Sequence, residues 1–482
     1  MRRWLTSALL ILGTAAVQAQ GRTAPPQPAV PLTPPQPVLR LTLDEAQDRA
    51  LKASHRLTEI RARETVALAV VDARLALERP SIAATAGYTR TNHVVEFSFP
   101  GPTGPRVVYP DVPDNYQARL DLQWPIYSGG RTDALERAAR ADAAGVAAEV
   151  AAARADLRLE VARAYWALVT ARASAAVLQQ AVSRSEAHIG DVRARFNAGL
   201  VAPNETASAT ALLSRARMLL IEANNQRDSA AADLARLVGE QAMVPIEPAA
   251  TLDEGLARSG AGAAAAPGQT NPAAAAGEAD LKIGQADLEV RLYEENYAQA
   301  LNGRAERQVI ERRVESAEAQ RAAAAASRRP AVVVTGGVDY ARPNARIFPR
   351  ADQWNETWDA GIHVNWALWD GGRSAAEAAQ AAGLAAAARA RLADFDAVLA
   401  VDVRQRRLDI ESGLAAVQAA ADGVTAAEEA RRVVTERYRA GVIAQGEVLD
   451  AELALLQAEL DRTRALAGVR LAEARLARAV GR

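Results

Sequence analysis

The sequence predicts a mostly α-helical exported chain that also carries strands of a membrane β-barrel, built as a duplicated helix, strand pair and long helix. Three observations predict this. QWPIYSGGR around Trp124 returns as NWALWDGGR around Trp366, and RFNAGLVAPNE (195–205) returns as RYRAGVIAQGE (437–447), both 242 residues on. After each GGR turn a single apolar seam runs along a very long helix. Just before each turn the hydrophobic period falls to two.

The chain opens with MRRWLTSALLILGTAAVQAQ, in which Arg2 and Arg3 precede an apolar core and Val17 and Ala19 suit cleavage after Ala19. Residues 1–19 thus read as a signal peptide. Residues 20–40, with PPQP and PLTPPQP, read as an extended linker. No later stretch offers about 18 uninterrupted apolar residues, so a membrane could be crossed only by strands.

The first repeat is expected over 41–243, with a strand pair in 81–127, a long helix at 131–198 and a return helix at 204–240. The second is expected over 291–482, with a strand pair in 331–369, a long helix at 373–440 and a return helix at 446–480. LDEAQDRAL (43–51) aligns with YEENYAQAL (293–301), and Arg79-Pro80 with Arg329-Pro330, both at an offset of 250. The change to 242 places an eight-residue length difference in a loop between Pro80 and Trp124. Between the repeats, 244–290 weakens into an Ala/Gly/Pro-rich, low-complexity stretch, expected to be a flexible surface crossing over 250–280.

The seam of the first long helix steps by threes and fours through Val146, Val150, Ala153, Leu157, Val161, Ala164, Leu168, Ala171, Ala175, Leu178, Val182, Ser185, Ile189, Val192 and Phe196. Shifted by 242 it recurs from Ala388 to Tyr438, broken only by Arg406 and Arg431. Alternating three- and four-residue steps are those of coiled-coil packing. At about 1.5 Å per residue each helix would be a rod of about 100 Å.

In the strands, Tyr116, Ala118, Leu120, Leu122, Trp124 and Ile126 alternate with polar residues, as do Trp358, Ala360, Ile362, Val364, Trp366 and Leu368. One apolar and one polar face suit a barrel strand with lipid outside and water inside; a soluble hairpin with one buried face would give the same pattern. Partner strands are expected at Ile82–Thr91 and Val332–Tyr340. The intervening Pro/Gly-rich Phe97–Pro113 and Ala341–Asn355 are expected as loops. Trp124, Trp358, Trp366 and Trp369 suit aromatic girdles. Four strands cannot close a barrel, so the barrel must be shared: two chains would give eight strands and three would give twelve.

Composition narrows function. Lys and Arg total 57 against 58 Asp and Glu, so no basic field invites nucleic acid. Aromatics are only 4% although half the chain is hydrophobic, which suits closely packed helices better than a wide core. There is no cysteine, hence no thiol chemistry and no lipidated N-terminal cysteine. His55, His93, His188 and His363 lack metal-ligand spacing, so no metal or cofactor is expected. No nucleophile elbow, phosphate loop or HExxH suggests an enzyme.

These paired motifs make the chain similar, over about 41–482, to the TolC-type outer-membrane efflux channels. The resemblance implies a homotrimer with a 12-stranded β-barrel in the outer membrane and a long periplasmic α-helical barrel. It would be the passive exit duct of a tripartite efflux or type I secretion system, fed by an inner-membrane pump of RND, ABC or MFS type through a periplasmic adaptor. Gly129-Gly130 and Gly371-Gly372 then make the strand-to-helix turns, with Ser128 and Asp370 as capping side chains. Gly199, Leu200 and Ala202, with Gly441, Val442 and Ala444, fall at the adaptor-docking tips; helix-reversal glycines alone would explain the same pattern. Alanines 202 and 444 stand where the family often has Ser or Thr. Glu447 and Asp450, three apart at a helix start, fall at the acidic ring of the periplasmic gate, although carboxylates there also stabilise the helix dipole. Tyr438 and Glu205 match a tip lock whose basic position is here Ile443, so help would come from Arg437 or Arg439. The alternative function is an exported trimeric coiled-coil rod, structural or adhesive and without a channel.

Overall fold

The computed structural model describes residues 38–102, 104–254 and 290–482. The expected signal peptide, most of the linker and residues 255–289 of the inter-repeat segment lie outside the described residues. In the first repeat the elements are β1 (Leu39–Leu41), α1 (Leu43–Ala53), α2 (His55–Ala76), β2 (Ser81–Arg90), β3 (Phe97–Gly101), β4 (Gly104–Tyr109), β5 (Asp114–Tyr127), α3 (Arg131–Asn197), α4 (Pro203–Val238) and β6 (Ile246–Pro248). The second repeat supplies α5 (290–303), α6 (Ala305–Ala326), β7 (Ala331–Arg342), β8 (Asn355–Asn365), α7 (Arg373–Arg439) and α8 (Gln445–Ala479). The duplication is therefore structural: helix pair, strand pair, 67-residue helix and return helix occur twice in the same order. Among the described residues no helix is long and apolar enough to cross a membrane.

Local chemistry sets the joints. Thr42 and Glu45 form a reciprocal capping box at α1, with Thr42 N–H donating to Glu45 Oε2 at 2.9 Å. Where β5 enters α3, Gly129 and Gly130 both adopt positive φ, 67° and 83°; Gly371 and Gly372 repeat this at 68° and 89°. The capping expectation is met in both copies. Ser128 Oγ accepts from Thr132 N–H at 3.2 Å, and Asp370 accepts from the N–H groups of Gly372 and Ser374 at 3.1 and 2.9 Å.

The α3 seam is buried almost throughout, from Val150 to Val192; Phe196, expected to continue it, is exposed because the helix ends there. In α7 every seam position is buried or partly covered. The two arginines that interrupt it are paired instead: Arg406 with Asp402 and Asp409, each at 3.1 Å, and Arg431 with Glu452 of α8 at 3.1 Å. The two rods are unequal in cover. α3 packs against α1, α2, α4, α6 and α8 and buries 24 of its residues, whereas α7, packed against α5, α6 and α8, buries five. Leu384, Val398 and Val401 of α7 and Val66 and Val70 of α2 stay exposed, so both flanks of the helical layer keep apolar surface for a neighbour.

The largest buried cluster lies midway along the rods, around Leu41, Leu57, Tyr165, Leu168, Leu234, Ile246 and Leu466. Tyr165 is fully buried; its hydroxyl donates to Leu41 O at 3.3 Å and accepts from Ala250 N–H at 3.1 Å. It thus fastens the strap formed by β1 and β6, which pair in parallel. Two expectations are corrected here. Residues 39–40, assigned to the linker, and 246–248, assigned to the low-complexity segment, are strands, because Leu41 and Ile246 bury their side chains.

Two further corrections concern the strands. Phe97–Pro113, expected as a loop, contains the β3–β4 hairpin; its glycines and prolines serve the turn, while Phe97, Phe99, Val107 and Tyr109 are strand formers. The second strand of the second pair ends at Asn365 rather than continuing to Leu368. Beyond it, Trp366 Nε1 donates to Arg328 O at 3.1 Å and leaves the ladder.

Candidate functional site

At one end of the rods lies a four-stranded antiparallel sheet in the order β2-β5-β7-β8. Its register aligns Ile82, Leu122, Gly336 and Ala360 along one rung, and Ala84, Leu120, Val338 and Trp358 along the next. All of these point to one face. That face is open rather than packed on the protein: Ile82 is 75% exposed, Trp358 76% and Ile362 70%. A soluble hairpin would bury this face, so that reading fails. Aromatic rings frame it at both ends. Tyr88, Tyr116, Tyr340 and Trp354 cluster where β7 ends, and Trp124, Trp366 and Trp369 are exposed near the helix junction.

The opposite face is polar. Arg119 holds Asp121 at 2.6 Å and Asp359 at 3.1 Å, and His363 Nε2 lies 3.0 Å from Thr335 Oγ1. β2 and β8 each lack a strand partner on their outer side among the described residues. An open edge with an apolar face toward lipid is not viable, so the sheet is complete only when strands of other chains join it.

At the other end the helices reverse, and both reversals use one geometry. Gly199 N–H donates to Phe196 O at 2.9 Å and Leu200 N–H to Arg195 O at 2.9 Å; Gly441 N–H donates to Tyr438 O and Val442 N–H to Arg437 O, both at 3.0 Å. These paired bonds are Schellman closures, which need a left-handed residue; Gly199 and Gly441 have φ of 75° and 73°. Ala202 and Ala444 occupy the following N-caps with no side-chain bond. Leu200 and Val442 point outward, 74% and 65% exposed.

Between the two tips the structure brings Tyr438 and Glu205 together, the phenol donating to Glu205 Oε2 at 3.0 Å. Burial first, then the Glu205 carboxylate, push the phenol above its ordinary pKa, so it stays a donor. The basic partner is Arg195, which sequence reasoning missed. Its guanidinium lies 4.8 Å from the Tyr438 ring centroid and donates to the carbonyls of Tyr438 and Arg439, both at 3.2 Å. Arg439, one of the two arginines expected to help, instead lies 3.8 Å from Asp191. His188 sits beside this group, 3.3 Å from the buried Gln445 amide, and burial lowers its pKa, keeping the ring neutral. The clue in the sequence was the pairing of Arg195 with Arg437 at the repeat offset.

The acidic residues divide into two kinds. Glu452 and Glu459 are enclosed and paired with Arg184, at 3.4 and 2.8 Å. Glu447 and Asp450 are exposed, on the side of α8 away from buried Gln445 and Val448, and neither has an ion pair among the described residues. Among the described residues no group of three potential ligands could hold a metal ion.

A family model described as "Outer membrane efflux protein" matches residues 46–240 and 296–482. No curated protein sequence matches the chain. Among solved structures the fold is similar to VceC of Vibrio cholerae at 20% identity and a TM-score of 0.71, covering 91% of this chain and 96% of that one. It is also similar to the MtrE outer membrane channel of Neisseria gonorrhoeae, at 20% identity, TM-score 0.69 and 91% and 88% coverage. The CmeC outer membrane channel of Campylobacter jejuni matches at 14% identity, TM-score 0.68 and 91% and 85% coverage.

Proposed function

The chain belongs to the outer membrane efflux protein family, and we propose that three copies form one passive exit duct through the outer membrane. The sheet carries this reading, because its lipid-suited face is exposed and both its edges are open. Four strands from each of three chains make a 12-stranded barrel, wide enough for an aqueous lumen lined by the polar face. The exposed flanks of α2 and α7 supply matching contacts between protomers along a helical barrel in the periplasm. A coiled-coil rod without a channel would have no use for the sheet.

Substrate is handed over by an inner-membrane pump of RND, ABC or MFS type through a periplasmic adaptor. The adaptor seats on Gly199-Leu200 and Gly441-Val442, whose exposed apolar side chains repeat at equivalent places. Glu447 and Asp450 form two rings of three carboxylates at the narrow end, and Tyr438, Glu205 and Arg195 hold neighbouring hairpins together there. The duct itself performs no chemistry.

Gly199→Val and Gly441→Val test the tips. No atom would crowd a side chain at either position, so the only penalty is a β-branched residue at positive φ, about 1–2 kcal/mol or more. Cross-linking to the adaptor is expected to fall severalfold while outer-membrane assembly persists. Normal cross-linking in the double variant would contradict the docking assignment.

A further inference from the structure

The 343–354 loop between β7 and β8 does not stand free at the barrel mouth. It lies on the polar face. Gly337, Asp339 and Ala341 alternate on that face of β7 and all three are buried, as is Asn344 within the loop. Asn344 Nδ2 donates to Asn355 O at 3.0 Å and Thr357 Oγ1 at 3.2 Å, and its Oδ1 accepts from Arg346 N–H at 2.9 Å. Arg350 crosses to β5 and β4, donating to Asn115 Oδ1 and to Tyr109 Oη, both at 2.7 Å.

The deepest contact is Arg346, which lies 2.8 Å from Asp359 and donates to Trp358 O at 3.2 Å. Asp359 is held from the other side by Arg119, which reaches it across β7 at the rung Asp121–Gly337–Asp359. Gly337 makes that reach possible, since a Cβ there would lie 2.9 Å from the Arg119 Cζ. The seal is incomplete at two atoms, Arg350 Nε in the loop, which is buried without a partner, and a carboxylate oxygen beneath it. Asp339 is 9% exposed beneath the loop, and its Oδ1 has no hydrogen-bond partner among the described residues. Closing the loop therefore strips water from a carboxylate oxygen and gives it nothing in return.

We propose that this loop is an inward-folded lid that makes the outer mouth a second constriction, latched by Arg346–Asp359–Arg119 and kept openable by Asp339. The inference rests on the trimeric duct, in which three such lids converge on one lumen. Opposed contributions, ion pairs favouring the lid and an unsatisfied carboxylate opposing it, are what a two-state element needs. The lid also decides charge selection at the exit: closed, it presents a paired set of charges, and open, it leaves Asp339, Asp359 and Asp121 facing Arg119 alone.

Gln123, exposed on the polar face one rung inward of Asp121, reports the lid. The chain has no cysteine, so Gln123→Cys gives a single thiol. Intact cells carrying it are treated from outside with a maleimide–biotin too large for general porins, and the labelling rate is read on the full-length channel. Arg346→Gln and Asp359→Asn are expected to speed labelling about tenfold, and Asp339→Asn to slow it severalfold. Equal rates in all three would overturn the lid, as would acceleration by Asp339→Asn. A thiol that a small maleimide cannot reach even in detergent-solubilised protein would instead show that the polar face lines no lumen, and the duct reading itself would fail.

Discussion

Replacing Glu447 and Asp450 together by alanine is expected to raise single-channel conductance about twofold or more and to weaken block by a trivalent cation by about tenfold, ~1.4 kcal/mol. Both carboxylates are exposed on the first turns of α8 and unpaired among the described residues, and six of them would ring the narrow end. Rings of like charge concentrate cations and bind multivalent ones tightly. Because α8 is anchored by buried Gln445, Val448 and Leu455, the double variant keeps its fold. Glu452→Ala is the control: its charge is spent on Arg184 and Arg431, so it should loosen the hairpin contact more than it relieves cation block. Unchanged conductance and block in a planar bilayer for the double variant would remove the gate from these residues.

Ala360→Arg is expected to abolish assembly in the outer membrane, whereas His363→Arg is tolerated. Both lie on β8 and point to opposite faces, Ala360 on the rung of Leu122 and Gly336, between the two aromatic ends of the apolar face. A lipid-facing arginine costs about 2–4 kcal/mol near the middle of the bilayer, and the barrel would carry three. On the polar face an arginine meets water and the Asp359 side of the sheet. Membrane fractionation after expression separates the outcomes. Equal tolerance of both substitutions would mean that the exposed apolar face does not meet lipid.

What the sequence made legible was periodic or repeated. Trp124 and Trp366 with their GGR turns, the seam from Val150 to Val192, and the alternation through Tyr116–Ile126 each carry their signal within one element, and the fixed offset doubles it. Tyr438 and Glu205 could be named because each sits at a fixed distance from a repeated glycine. Arg195 was passed over because its partners lie on the other repeat, and nothing local marks a cation that will face a tyrosine ring 243 positions away. Arg406 and Arg431 looked like defects in a seam for the same reason. Their carboxylate partners include one on another helix.

The strands show the limits of composition. Glycine and proline around Phe97–Pro113 indicated a loop, yet the residues flanking them alternate and pair as β3 and β4. Gly337 gave no signal at all, since its role is the space it leaves for Arg119. The strap of Leu39–Leu41 against Ile246–Pro248 joins two short segments more than 200 residues apart, each too brief for periodicity to register.

The central claim is a barrel shared among three chains, and the most direct measurement is the mass of the protein extracted from the outer membrane in mild detergent. The account predicts a membrane-derived particle containing three chains. A single chain, or a water-soluble periplasmic species, would contradict it, because the apolar face of the sheet would then have to meet protein and its two edges would have to be covered within one chain.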